Sequence, residues 1–161
     1  NAGVGLLSEA SFRASNIPGL KGSLLYASAA LISFINLKSH RYVVTTDAQK
    51  MEMENLILAG AASQYTGGGM YIAPDAKKFR DKLNLLFAKK LSRIQAIILL
   101  IKVFCGSDIF HNAVTNTHVG SVKIESLSSD RWSSIVSGDG EHLGDLPVTI
   151  HLGRKPLKIA H

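Results

Sequence analysis

The sequence predicts an α+β domain built mainly as an antiparallel β-sandwich with two helices. Many short segments alternate apolar with polar residues, as strands with one buried face do, and two longer stretches repeat apolar residues at helical spacing. Strands and helices do not alternate along the chain, so a doubly wound parallel sheet is not expected. Neither a Walker loop nor a Gly-x-Gly-x-x-Gly fingerprint occurs, and the chain therefore shows no nucleotide site of its own.

Composition places the 161 residues in one globular domain, residues 1–161. Hydrophobic residues make up 46% of the chain and charged residues 19%, which argues against disorder. Cys105 is the only cysteine, so an intrachain disulfide is excluded and a reducing cytoplasm fits best. We interpret Cys105 as a buried, inert thiol because it ends an apolar run. The longest uninterrupted apolar run, Ala96 to Ile101, is far shorter than the roughly 20 residues of a transmembrane helix.

The first half of the chain predicts one helix and several strands. A glycine-punctuated strand or turn covers Asn1 to Gly5, and Leu24 to Leu37 has the apolar spacing of a helix. Later strands are predicted at Tyr42–Thr46, Glu52–Leu58, Met70–Ala73 and Leu83–Ala88. The first two form a β-hairpin around a turn at residues 47–49, and Pro74 ends the third.

The second half predicts one helix followed by strands. Ser92 and Gln95 form a capping box, and the apolar helical face continues to Phe104, with Gly106 as the stop. The strands that follow are predicted at His118–Ser126, Trp132–Val136, Pro147–Gly153 and Leu157–Ala160. Asp139-Gly140 between two strands predicts a tight turn, because glycine tolerates positive φ there.

The net charge of +6 is concentrated in one stretch of sequence. Between Lys77 and Arg93 there are seven basic side chains and a single acid, Asp81. Such a stretch attracts phosphate, and we expect it to face an anionic membrane surface, although an ordinary solvated surface would look the same. Nucleic acid is not expected, since no recognition helix and no interleaving of aromatic with basic residues is evident.

Several motifs occur in an order that is typical of one family. They are Asn1-Ala2-Gly3-Val4-Gly5, Lys21-Gly22, the ten residues from Gly67-Gly68-Gly69-Met70 to Ala76, Leu91-Ser92-Arg93, and the nine residues from Asp139-Gly140-Glu141 to Pro147. In this order the chain resembles the C-terminal half of the diacylglycerol kinase and sphingosine kinase-like bacterial lipid kinases. The resemblance covers essentially the whole chain, and the two long boxes are its most specific part.

The resemblance implies that this domain forms the lipid side of a cleft. In the family an upstream α/β domain holds ATP in a Gly-Gly-Asp-Gly-Thr loop, so we expect that nucleotide-binding domain to be missing upstream of Asn1. Glu141 would be the proton acceptor that activates the lipid hydroxyl, and Asp139 would shape the turn or help to position metal-bound phosphate. On residue chemistry alone, Asp139 and Glu141 could also be solvated acids that mark a hairpin.

The glycine box is the candidate substrate-binding segment. Gly67, Gly68 and Gly69, followed by Met70, would let the backbone approach a phosphate or a lipid head group closely, because glycine has no side chain to block it. The same glycines could equally form a bulge between strands.

The chain departs from the family pattern after the glycine box. Where the family has an acidic run associated with Mg²⁺, this sequence has Phe79-Arg80-Asp81 followed by Lys82, so we expect the accessory metal site to be lost or altered. The six histidines show no ligand spacing for zinc. We therefore assign no metal ligand here, and expect ATP and Mg²⁺ in the full-length enzyme but no cofactor on this fragment.

The expected function is the lipid-side domain of an ATP-dependent lipid kinase that phosphorylates diacylglycerol or a related lipid. The fragment alone should be inactive, and the enzyme should be cytoplasmic and peripheral at the membrane. The alternative is a non-catalytic module that binds anionic lipid or has a regulatory role. The lost acid pair and the basic stretch motivate this alternative. The sequence leaves the identity of the lipid open, and also the oligomeric state, with a homodimer as one option.

Overall fold

The fold is described from a computed structural model, which covers residues 1–14, 28–29, 32–33, 37–66, 69–79, 81–107 and 111–153. The predicted strand Leu157–Ala160 lies outside these residues. The predicted helix Leu24–Leu37 lies mostly outside them too, although residues 28, 29, 32 and 33 are helical.

Antiparallel strands are the commonest elements in the described part of the chain. The strands are β1 Ala2–Gly5, β2 His40–Thr46, β3 Lys50–Asn55, β4 Ile57–Ala61, β5 Tyr65–Thr66, β6 Met70–Tyr71, β7 Leu83–Ala88, β8 Val114–Val119, β9 Ser121–Ser126, β10 Ile135–Gly138, β11 Glu141–Asp145 and β12 Val148–His151. The helices are α1 Leu6–Ala14, α2 Arg93–Phe104 and α3 Arg131–Ser134, with a 3-10 turn at Pro74–Lys77.

Two sheets pack face to face. The larger has the strand order β11-β10-β1-β4-β7-β8 and the smaller has β12-β9-β2-β3, while β5 and β6 form a short separate ribbon. Every pair of neighbouring strands is antiparallel. The predicted α+β fold, mainly an antiparallel sandwich, is therefore confirmed.

The six-stranded sheet has a hydrophobic core on each face. Along β7, Leu83 and Leu85 point into the core between the two sheets, where Val44 and Ile124 meet them. Leu86 points the other way, into a second core that the two longer helices cover. This alternation is what a strand buried on both faces requires, and it leaves one side of the sheet free to carry helices α1 and α2.

Two predicted strands are each divided where the chain passes from one sheet to the other. The predicted strand Glu52–Leu58 breaks at Leu56, whose backbone NH donates to the carbonyl of Ala88 (2.7 Å) instead of continuing the hairpin. The predicted strand His118–Ser126 breaks at Gly120, because the Asp47 carboxylate accepts its backbone NH (3.0 Å) and so holds a corner. Strands that switch sheets in this way close the corners of a sandwich.

The second predicted helix is confirmed. The Ser92 hydroxyl accepts the Gln95 backbone NH, and the Gln95 side chain accepts the Ser92 NH, so both halves of the capping box are present. The helix ends at Phe104, and Gly106 follows with φ of 66°. The prediction for Cys105 was wrong: it is exposed, because it caps the helix at the surface.

The two predicted helices do not include α1 and α3, which the sequence analysis missed. Helix α1 follows β1 directly, because Gly5 adopts φ of 73° and the Leu6 NH donates to the Leu56 carbonyl (3.0 Å). The predicted strand at Trp132 was also wrong over residues 132–134. The Asp130 carboxylate accepts the Trp132 NH (2.9 Å) and so starts the short helix α3 before β10 begins.

No helix within the described ranges is long and apolar enough to cross a membrane.

Candidate functional site

The Asp139-Gly140 turn joins β10 to β11 and places Glu141 at the first position of β11. Asp139 has φ of 48° and Gly140 has φ of 92°, so both central residues of the turn are left-handed. That is the conformation of the tight hairpin turn that the sequence predicted. The side chains of Asp139 and Glu141 both reach solvent, as a carboxylate that meets a substrate must.

Asn1 connects this turn to the chain segment that precedes the glycine box. Its side-chain oxygen accepts the backbone NH groups of Ala62 and Ser63 (both 3.0 Å), and its side-chain nitrogen donates to the Tyr65 carbonyl (2.7 Å). Its carbonyl accepts the Asp139 backbone NH (3.1 Å). Its backbone nitrogen donates to the Asp139 carboxylate (3.1 Å), and in a longer chain that nitrogen would be an amide. One asparagine therefore holds both segments together.

A groove runs between the turn and helix α1. A cavity of about 240 Å³ lies beside Glu141 and is lined from the helix by Ser8, Ser11 and Phe12. A much smaller cavity continues past Asp139 to Met70. Ser11 and Gly140 border both spaces, so the two candidate acids lie along one continuous groove.

Buried hydroxyls fix the helix against the sheet at this groove. The Ser137 hydroxyl on β10 donates to the Ser8 hydroxyl (3.1 Å), which donates in turn to the Gly3 carbonyl on β1 (2.7 Å). Both serines are buried. Because buried hydroxyls are costly unless they are hydrogen-bonded, this chain of bonds favours one position of α1 relative to the turn.

An aromatic and guanidinium cluster closes one end of the groove. The rings of Phe12 and Trp132 meet edge to face with centroids 5.5 Å apart. Arg13 lies over the Trp132 ring, and Arg131 lies over both rings, at 5.5 to 5.9 Å. Buried Glu9 accepts two hydrogen bonds from Arg13 (2.7 and 2.9 Å). Glu9 therefore offsets the charge of Arg13, and Arg131 adds positive charge over the Phe12 ring that lines the groove.

An apolar cavity lies directly behind the groove. Its volume is about 110 Å³, and helices α1 and α2 enclose it against β4, β6 and β7 with side chains such as Leu86, Ala96 and Leu99. Leu7, Ala10 and Met70 line this cavity and also the small cavity beside Asp139. The polar groove and the apolar cavity are therefore neighbours that share three residues. A small apolar space therefore lies next to the groove that holds the candidate acids.

The predicted site residues are brought together only in part. Asp139, Glu141 and Met70 meet along the groove, and Met70 is buried. Gly67 and Gly68 lie outside the described residues. Gly69 has φ of 100°, and a Cβ there would meet no atom within 4 Å, so its conformation rather than lack of space requires glycine.

Sequence reasoning missed the residues that α1 contributes, namely Ser8, Ser11 and Phe12. The helix begins without a capping side chain, immediately after a glycine, so the usual start signal is absent. The available signal was the Glu9 and Arg13 pair at i and i+4, together with the apolar residues at positions 6, 10 and 14.

The predicted basic stretch from Lys77 to Arg93 is divided between two places. Strand β7 separates Lys77 and Lys82 from Lys89 and Arg93, and its six residues span roughly 20 Å. The second group lies where helix α2 begins. The charge therefore does not form one patch.

The segment in which the family has its acidic run carries no set of metal ligands here. The Phe79 ring packs on His118 with centroids 4.4 Å apart, and the Asp75 carboxylate pairs with Lys78 at 2.6 Å. Asp81 is exposed, and Arg80 is outside the described residues. Among the residues that the structure describes, no three His, Cys, Asp or Glu side chains are grouped to hold a metal ion. The described residues of this segment therefore offer no cluster of three such ligands for Mg²⁺.

Another, polar cavity of about 590 Å³ lies beside His40, Arg41 and Lys90, and Asp130 at the start of helix α3 also lines it. Burial lowers the pKa of His40, although the nearby carboxylates of Asp130 and Glu9 partly oppose this shift. The backbone NH of Trp132 and the ammonium of Lys38 lower the pKa of Asp130. Neither candidate acid lines this cavity.

The two packed sheets, with helices on the outer face of the larger one, define a β-sandwich-like α+β domain. Residues 2–161 match the family described as the YegS C-terminal NAD kinase beta sandwich-like domain, and the chain belongs to this family. The family resemblance expected from the motifs is confirmed. A search of curated proteins finds no significant match.

Three of the solved structures with the same fold come from Bacillus anthracis strain Sterne. One is a proposed diacylglycerol kinase, 21% identical, with a TM-score of 0.58 over 93% of this chain and 48% of its own. A diacylglycerol kinase is 17% identical, with a TM-score of 0.51 over 75% of this chain and 43% of its own. Another proposed diacylglycerol kinase is 17% identical and has a TM-score of 0.55. The match covers 78% of this chain and 43% of that protein. The chain thus spans about half the length of these proteins.

Proposed function

We propose that the chain is the lipid-side domain of an ATP-dependent lipid kinase that phosphorylates a hydroxyl group of diacylglycerol or a related lipid. Membership of the YegS C-terminal domain family supports this class. The solved structures of the same fold that are described as diacylglycerol kinases agree with it and are about twice as long. The other half of the enzyme would hold ATP.

The observation that carries the proposal is the adjacency of the carboxylate-bearing turn and the apolar cavity. Glu141 borders the polar groove, while Met70 and Leu7 border both the groove's inner end and the apolar cavity. A lipid that places part of one acyl chain in the apolar cavity would present its glycerol hydroxyls to the groove. Ser11 and the other hydroxyls there suit a polar head group.

Glu141 would act as the general base. Its carboxylate takes the proton from the lipid hydroxyl, and the hydroxyl oxygen forms a bond to the γ-phosphorus of ATP. The bond from that phosphorus to its bridging oxygen breaks, so that ADP leaves and a lipid phosphate forms. Asp139 keeps Glu141 in place through the turn. Arg131, whose guanidinium lies over the Phe12 ring, favours phosphate at this end of the groove.

The test is the substitution Glu141→Gln in the protein that joins this domain to its nucleotide-binding domain. Loss of a general base lowers turnover by about 100-fold or more, and the fold should not change because Glu141 is exposed. Phosphorylation of diacylglycerol from labelled ATP measures the loss, and circular dichroism measures the fold. Glu52→Gln, an exposed glutamate on β3, is the matched control and should keep full activity. Full activity in the Glu141 variant would remove Glu141 from this role.

A second candidate is a non-catalytic module that binds anionic lipid or regulates a partner. The replacement of the family's acidic run by Phe79 packed on His118 favours it. Binding of this chain to anionic vesicles, without kinase activity in the longer protein, would support the module over the enzyme.

A further inference from the structure

We propose that the outer face of helix α2 inserts into an anionic phospholipid bilayer. Four isoleucines on this face form what we call the isoleucine ridge: Ile94, Ile97, Ile98 and Ile101. Their exposed fractions are 73%, 38%, 50% and 57%, respectively. They follow the spacing i, i+3, i+4 and i+7, so they lie on one side of the helix.

The ridge is a contiguous surface, unlike the scattered apolar residues that any protein exposes. Four of the ten large hydrophobic side chains exposed in the described part of the chain lie on this single helix face. The opposite face of α2 is also apolar, and Ala96, Leu99, Leu100 and Val103 line the apolar cavity. A helix that is apolar on both sides is typical of a buried environment, so its outer face calls for an apolar neighbour.

The charges around the ridge identify that neighbour. No acidic residue occurs from Lys82 to Ser107. Arg93 and Lys102 lie about 90° around the helix from the ridge, one on each side, while Lys89 and Lys90 are exposed just before the helix. An apolar strip with cations on its flanks is the pattern of a helix that lies in the surface of an anionic membrane.

The position of the ridge also suggests how a lipid reaches the cavity, a step that rests on the proposed function. Helix α2 would lie between the bilayer and the apolar cavity, because its outer face would contact the bilayer and its inner face lines the cavity. A lipid would then travel past a single helix without crossing water. The membrane contact itself needs neither ATP nor catalysis, so it can fail or hold independently of the kinase assignment.

The experiment is co-sedimentation of this chain with vesicles that lack diacylglycerol and ATP. One vesicle type contains phosphatidylglycerol and phosphatidylcholine, and the other contains phosphatidylcholine alone. We expect binding to the first type and much weaker binding to the second, with a further decrease as salt is added. An environment-sensitive dye on Cys105, which is exposed at the end of α2, should report an apolar surrounding on binding.

Two pairs of variants separate the apolar and the charged contributions. Ile94→Ser with Ile98→Ser should weaken partitioning by roughly tenfold or more, whereas Leu127→Ser, an exposed leucine outside the helix, should not change it. Lys89→Gln with Arg93→Gln should weaken binding to phosphatidylglycerol, whereas Lys77→Gln with Lys82→Gln, at the other end of β7, should have little effect.

Circular dichroism and sedimentation velocity accompany each variant. Wild-type affinity in the isoleucine double variant, or no binding by the wild type, would overturn the proposal. A dimeric wild type and a monomeric isoleucine double variant that bind vesicles equally well would also overturn it. In that case a second copy of the chain would be the partner of the ridge.

Discussion

At the scale of single residues, Asp139 has two separable roles. It is the one non-glycine residue with positive φ in the part of the chain that the structure describes, and its carboxylate contacts the backbone nitrogen of Asn1. We predict that Asp139→Ala costs about 1 kcal/mol, because alanine is strained in the left-handed region, and that Asp139→Asn costs less. Urea unfolding measures both.

The same pair of variants tests the carboxylate in the kinase assay. If the charge is needed for activity, Asp139→Asn loses turnover while its stability stays close to that of the wild type. If only the turn matters, Asp139→Asn remains active and Asp139→Ala loses activity in proportion to its stability.

His40 predicts a pH dependence of stability. Burial lowers its pKa in the folded state, mainly through desolvation; Lys38 acts in the same direction, and Asp130 and Glu9 oppose it. As pH falls through the ordinary value of 6.5, the unfolded chain takes up this proton before the folded one does. The free energy of unfolding therefore decreases as pH falls through that value. The stabilising contribution of neutral His40 is complete only above it.

The measurement is urea unfolding between about pH 5 and pH 7, a window that lies above the range in which the lowered pKa values of Asp47 and Asp130 act. His40→Gln should give a shallower slope with pH than the wild type. His151→Gln, at an exposed histidine on β12, is the matched control. Equal slopes in wild type and His40→Gln would contradict the prediction.

At the scale of elements, the sequence predicted those whose signals are local. The capping box at Ser92 and the stop at Gly106 mark helix α2, and Asp139-Gly140 marks a hairpin turn, because each depends only on neighbouring residues. The two sheet-switching points were not predictable in this way. Leu56 leaves the hairpin because its NH pairs with Ala88, which is 32 positions away, and no alternation pattern reports such a pairing.

The same contrast holds for the candidate site. Glu141 and Asp139 were proposed as site residues because they belong to one continuous motif. The groove that faces them is made by Ser8, Ser11 and Phe12 on α1, about 130 positions earlier in the chain. Only tertiary packing brings these two segments together, so the acids could be identified from sequence but the walls of their groove could not.

At the scale of the whole molecule, the six-stranded sheet has a hydrophobic core on each face, and a cavity lies in the core beneath the helices. The core between the sheets is continuous, whereas the core beneath the helices contains the cavity of about 110 Å³. We predict that Ala96→Leu, which adds apolar volume to this cavity, keeps or raises the free energy of unfolding by up to about 2 kcal/mol. Activity of the longer enzyme on long-chain diacylglycerol should fall, and activity on short-chain diacylglycerol should fall less.

The control is Ala73→Leu, at a buried position that does not line the cavity, where overpacking should cost about 1 to 3 kcal/mol. Thermal or urea unfolding of both variants measures the difference. Equal destabilisation by the two substitutions would mean that the space is not available, and unchanged long-chain activity in Ala96→Leu would mean that acyl chains do not use it.

The bonds of Asn1 have a mechanical consequence. Any segment that preceded Asn1 would enter the domain within hydrogen-bonding distance of Asp139, two residues before Glu141. The Asn1 side chain is almost fully enclosed and is anchored to residues 62, 63 and 65. A displacement of Asn1 would therefore strain these bonds and the contact with Asp139 together. If a preceding domain moved relative to this one and displaced Asn1, the Asp139-Gly140 turn would be displaced too. The position of the Glu141 carboxylate would then depend on the position of that domain.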